Sequence, residues 1–98
     1  LRLLSSELRS LDSLKGRVLA VIAATYGKES EKAKVYKVQH EYGDVISAYF
    51  HSHVEGSKCL EVMVVHGEAE RVRNFIGGLR ASRDLEQMRV LVLEHSGD

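Results

Sequence analysis

The stretch Val45–His66, VISAYFHSHVEGSKCLEVMVVH, decides the fold. In its first ten residues, Ile46, Ala48, Phe50 and Val54 fall on one side of an extended chain. Val45, Ser47, Tyr49, His51 and His53 fall on the other, because successive strand side chains alternate. A five-residue connection, Val54–Lys58, contains Gly56, and Cys59–His66 then reads as the antiparallel return strand. There Leu60, Val62 and Val64 alternate with Cys59, Glu61, Met63 and Val65. If the apolar faces are to coincide, His53 pairs with Cys59, His51 with Glu61 and Tyr49 with Met63. Opposed residues have Cβ atoms about 4.5–5.5 Å apart. Two imidazoles, one thiol and one carboxylate therefore gather on one patch, expected on the sheet face turned away from the helices.

Working outward, the preceding segment Lys28–Tyr42 has helical character, with Ser30 as a cap and Val35, Val38 and Tyr42 on one side. Before it, RVLAVIAATY (Arg17–Tyr26) lies between Gly16 and Gly27 and reads as a buried strand. Downstream, Glu68–Ala81 places Ala69, Val72, Phe75, Ile76 and Leu79 at helical spacing. Its Gly77 and Gly78 each weaken a helix by about 1 kcal/mol relative to alanine. Gln87–Glu94 reads as the last strand. The order β-α-β-β-α-β predicts an α+β, ferredoxin-like domain over residues 17–98: a four-stranded antiparallel sheet with two helices on one face. The bare face, expected to carry Val45, Tyr49, Met63 and Val65, is apolar enough to want a second copy over it. Ahead of the domain, residues 1–15 carry a leucine stripe at Leu1, Leu4, Leu8 and Leu11. That helix either docks on the domain or ends a helix of an upstream one. A start at Leu1 rather than Met leads us to expect a fragment.

Fourteen basic and fourteen acidic residues cancel to a net charge of +0. Such a chain lacks the cationic footprint that phosphate backbones require. Its longest apolar stretch, Val18–Ala24, is far too short to span a bilayer, so no membrane partner is expected. One cysteine excludes an intrachain disulfide framework and suits a reducing, cytoplasmic compartment.

Five histidines accompany that cysteine, and His51, His53 and Cys59 form an H-x-H-x5-C pattern. Imidazole and thiolate together suit Ni(II), Cu and Zn rather than Mg or Ca. The candidate fourth ligand is His40, near the end of the first helix; the alternative is an exposed histidine favoured by the helix dipole. Glu61, opposite His51, is placed to accept a hydrogen bond from a ligating imidazole, or else is a solvated strand residue. Gln39 is a candidate for similar supporting work. Tyr49 and Met63 read as interface packing, and His66 (on the helix side) and His95 (in the tail) as surface residues.

The run VQHEYGDVISAYFHSHVEGSKCLEVMVVHGEAERV (38–72) resembles the metal-binding core of the NikR family of nickel-responsive transcriptional repressors. The matching elements are Gln39-His40, the H-x-H of His51 and His53, Cys59-Leu60-Glu61-Val62 and the Val65-His66-Gly67-Glu68 turn. More weakly, the likeness runs from Arg17 to the C-terminus. It implies the ACT-like version of the fold and a square-planar Ni(2+) site. The ligands would be His51, His53 and Cys59 of one subunit, with His40 from the facing subunit of a homotetramer or dimer. The family's ribbon-helix-helix DNA-binding domain has no counterpart before Gly16, so DNA contact is expected only through an upstream domain absent from this chain. The alternative is an ACT-type amino-acid-binding module without metal, its site near Gly27. An enzyme is not expected: Cys59 on a strand lacks the helix N-terminus that commonly activates a nucleophilic thiol.

Overall fold

A computed structural model of the chain describes residues 5–27, 33–56, 58–82 and 85–95. Its elements are α1 (Ser5–Ser13), β1 (Arg17–Tyr26), α2 (Ala33–Glu41), β2 (Ile46–His53), β3 (Cys59–Glu68), α3 (Ala69–Arg80) and β4 (Leu85–His95). The expected cap Ser30 lies outside the described residues, as do Leu1 and Leu4. The sheet order is β2-β3-β1-β4, all pairs antiparallel, which is the expected α+β, ferredoxin-like split arrangement. The final strand is longer than expected at both ends and takes in His95.

β1 is central because it can be covered on both faces. Val18, Ala20, Ile22, Ala24 and Tyr26 are buried, and the residues between them half-buried. Against the buried side pack Val35 of α2 and the apolar stripe Ala69, Val72, Phe75, Ile76 and Leu79 of α3. Full burial of one such aliphatic side chain stabilises by roughly 1.5–3 kcal/mol. β3 runs to Glu68, past the expected end, because Gly67 admits Val45: a Cβ on it would lie 2.9 Å from Val45 Cγ1.

The hairpin register is as expected, with His53 opposite Cys59, His51 opposite Glu61 and Tyr49 opposite Met63. Gly56, at φ +59°, makes the left-handed turn that closes it, and Val54 N–H donates to Lys58 O at 3.0 Å. The face assignment is overturned. Cys59, Glu61, Met63 and Val65 stand opposite Tyr26, Ala24, Ile22 and Ala20, on the helix-covered side. β3 is apolar on both sides, so alternation shows which residues share a face but not which face the helices cover. Val45, Met63 and Val65 are thus core residues. The open face instead carries Val21, Phe50, Val62, Val64, Leu91 and Leu93, with Phe50, Leu91 and Leu93 each more than half exposed. His66, exposed between buried Val65 and Gly67, belongs to that open face and not to the helix side. A register shift between Ile46 and Ala48 turns Ile46 inward, opposite Val65.

Two further contacts hold the helices. Leu11 and Leu14 are buried, Arg73 caps their carbonyls at 3.2 and 2.7 Å, and Glu7 accepts from Val90 N–H on the β4 edge. Arg71 grips Asp44 through Nε and Nη2 (3.0 and 2.8 Å), donates to Glu41 O and lies 4.2 Å over the Tyr42 ring. This clamp fixes the exit of α2 to α3.

Candidate metal centre

The β2–β3 hairpin presents His51, His53 and Cys59 on the sheet face that the helices pack on. Their ligand atoms all lie within 4.8 Å of one another, the one such trio among the described residues. Cys59 Sγ is 3.5 Å from His53 Nδ1, and the two imidazole centroids are 5.2 Å apart. Cys59 is buried opposite Tyr26, His51 is half-buried and His53 is exposed. The site therefore has a fixed floor and an open rim.

The strand periodicity explains this convergence. Residues i and i+2 share a face, and the register set at Gly56 brings the thiol across from the second imidazole. Two nitrogens and one sulfur make a donor set for borderline or soft transition ions, with neither oxygen nor the high coordination number that Ca or Mg prefers.

Glu61 is fully buried, and Gln39 and Tyr49 are among the side chains that hold it. Gln39 Nε2 donates to Oε1 at 2.8 Å, and the Tyr49 hydroxyl donates to Oε2 at 2.6 Å. Gln39 Nε2 also lies 3.6 Å from Met63 Sδ. A buried carboxylate without such donors would be costly. Burial, reinforced by the neighbouring Glu61, pushes both the Tyr26 and the Tyr49 phenols above their ordinary range. Glu61 is thus no solvated strand residue, and Gln39 acts on Glu61 rather than directly on the trio.

His40 is not brought into the trio. It sits exposed in the last turn of α2, on a shallow groove shared with Tyr36, Gln39, Gly43, Ile46 and Tyr49. Tyr49, expected as packing alone, is the supporting residue that sequence reasoning missed. Its place two residues before His51, diagonal to Glu61 across the hairpin, was the signal available. Near Gly27, the alternative small-molecule position, the Glu86 side chain fills the space: a Cβ there would meet Glu86 Oε2 at 2.6 Å. Among the described residues, no helix is long and apolar enough to cross a membrane.

Comparison with known proteins agrees with this chemistry. Residues 19–93 match the family model described as the NikR C-terminal nickel-binding domain. A Methanopyrus kandleri protein named "Putative nickel-responsive regulator" is 37% identical over 78 residues, covering 78% of this chain and 55% of that protein. One of the same name from Methanocaldococcus jannaschii is 30% identical, covering 89% of this chain and 63% of its own length. A third, from Halobacterium salinarum, is 32% identical, covering 72% and 52%. The chain thus spans less than two thirds of each of these relatives. An uncharacterized protein of known structure from Thermotoga maritima superposes with a TM-score of 0.72 at 12% identity, over 80% of this chain and 99% of that one, a likeness of fold alone.

Proposed function

The chain belongs to the NikR C-terminal nickel-binding domain family, and from that premise we propose that it is the nickel-sensing and assembly domain of a transcriptional regulator. The trio of His51, His53 and Cys59 carries the reading, since it gathers two imidazoles and a thiol on one hairpin. These would be three ligands to Ni(2+), and His40 of a second copy the fourth. His40 is exposed, on a groove that it shares with Tyr49 of the strand that carries the two histidines, and this supports that assignment. Three nitrogens and one sulfur suit the square-planar preference of Ni(II), and Cu(II) would compete for the same donors. Gln39 and Glu61 would stiffen the helix and strand that carry the ligands.

Two surfaces, not one, would build the assembly. The trio and His40 lie on the helix side, while the apolar Phe50, Val62, Leu91 and Leu93 lie on the opposite face. A metal-bridged contact through the first and a packed contact through the second are each self-complementary. Together they would close a tetramer rather than stop at a dimer. Binding energy released across the metal contact would then favour one quaternary arrangement over others. In a longer regulator, α1 (within residues 1–15) would join this domain to a DNA-binding part, and the neutral charge here leaves DNA contact to that part.

The test is a nickel titration followed by absorbance and sedimentation, with amino acids as a control ligand by calorimetry. A thiolate-to-nickel band saturating at one ion per chain in a tetramer is expected. Amino-acid binding in place of nickel would overturn the reading.

A further inference from the structure

Glu61 stands directly across the hairpin from His51, yet its carboxylate is not part of the cluster formed by His51, His53 and Cys59. Two hydrogen bonds hold it elsewhere. Gln39, from α2, takes Oε1, and the Tyr49 hydroxyl, from the same strand as the two histidines, takes Oε2 at 2.6 Å. A carboxylate one residue across from a metal ligand is otherwise an obvious oxygen donor. Carboxylates reach a metal at distances similar to those of imidazoles, and their presence favours Zn(II), Co(II) and Mn(II) sites over square-planar ones.

We infer that Tyr49 is a specificity-determining residue: its hydroxyl ties the Glu61 carboxylate away from the metal position and so keeps the donor set to nitrogen and sulfur. The inference rests on the proposed nickel reading of the trio and deepens it. Tyr49 touches no metal in this account and is a positioning residue. Its ring lies 6.5 Å from that of His51, and it lines the groove where His40 sits. Tyr26 also bears on Glu61, from β1, and Tyr49 is the donor to Oε2 that shares the strand of the two histidines. Tyr49 thus does for the negative choice of metal what the trio does for the positive one.

The experiment uses the whole chain with Ni(II), Zn(II) and Co(II), each titrated against a chromophoric chelator, with Co(II) also read by its visible d–d bands. In Tyr49→Phe, which keeps the ring, the Ni(II)-to-Zn(II) affinity ratio should fall about tenfold, within the usual range for altered ligand support. The Co(II) bands should shift as an oxygen enters. In the double variant Tyr49→Phe/Glu61→Gln the wild-type ratio should return, because a neutral amide is a poor ligand. A purely structural role would lower all affinities together and would not be rescued. The metal-free melting transition of each variant serves as the fold control. An unchanged ratio and Co(II) spectrum in Tyr49→Phe, while the wild type shows its nickel–thiolate band, overturns the inference and leaves the nickel reading standing. A wild type without that band overturns the reading itself.

Discussion

The two sides of the β2–β3 hairpin distribute polarity against the usual rule. The side beneath the helices carries His51, Cys59 and Glu61, with Cys59 and Glu61 fully buried. The other side carries Phe50, Leu60, Val62 and Val64 and is left open to solvent, Phe50 being 57% exposed. The buried polar groups have partners within the chain, as Glu61 shows with Gln39 and Tyr49. Phe50, apolar and exposed, instead calls for cover from another surface. The proposed function thus gives metal binding to one side and association to the other, through residues that alternate along the same two strands.

This contrast breaks most sharply at the ligands. Replacing Cys59 by Ser or His51 by Ala should weaken nickel binding by at least about 100-fold, more than loss of a supporting group, in a competition titration. The same variants should keep a cooperative metal-free melt. On the open side, Phe50→Lys combined with Leu91→Lys should leave helix content intact but weaken self-association by about 30-fold or more, as for loss of a buried interface anchor. Sedimentation equilibrium reads that change. Unaltered association would move the contact to some other surface and dissolve the comparison.

Inside the chain, Glu61→Leu should destabilise the metal-free protein by about 2 kcal/mol in urea unfolding, because it strands the Gln39 and Tyr49 donors. The half-buried Val62→Ala, directly on the opposite side of β3, should cost less. The smallest effect belongs to the clamp at the exit of α2. The Arg71 guanidinium bonded to Asp44 holds that carboxyl below the usual carboxylate range. Its contribution is therefore present above the ordinary carboxylate range and is lost as pH falls through the lowered folded value. The gap in melting temperature between wild type and Asp44→Asn should stay constant near neutrality and close in acid.

Much of this was legible in the sequence. The β-α-β-β-α-β order followed from Gly16, Gly27, Gly43 and Gly56 standing between runs of distinct period, and the pairing of His53 with Cys59 followed from requiring the apolar faces of the two strands to coincide. The side of the sheet was not legible. In CLEVMVVH both alternating sets are apolar enough to be core, and only the burial of Met63 and Val65 in the cluster that holds the α3 stripe chooses between them. The polar character of His51, His53 and Glu61 pointed to solvent, whereas the fold buries Glu61 by supplying donors from α2 and β2. The turn of Ile46 toward the core was also hidden, since a shifted register leaves no mark in an apolar run. Tyr49 was seen on the right face beside the right residues, but its hydroxyl was given no partner.

The central claim is that one chain supplies His51, His53 and Cys59 while another supplies His40. Its most direct test mixes two inactive variants, His40→Ala and Cys59→Ser, after joint unfolding and refolding with nickel. Each variant alone should lack the tight, square-planar nickel–thiolate spectrum. In a mixed pair, the first chain contributes an intact trio and the second an intact His40, so one of the two sites is whole. Random pairing in equal amounts should then restore about one quarter of the wild-type signal per chain. No recovery on mixing, or wild-type nickel binding by His40→Ala alone, would contradict the account.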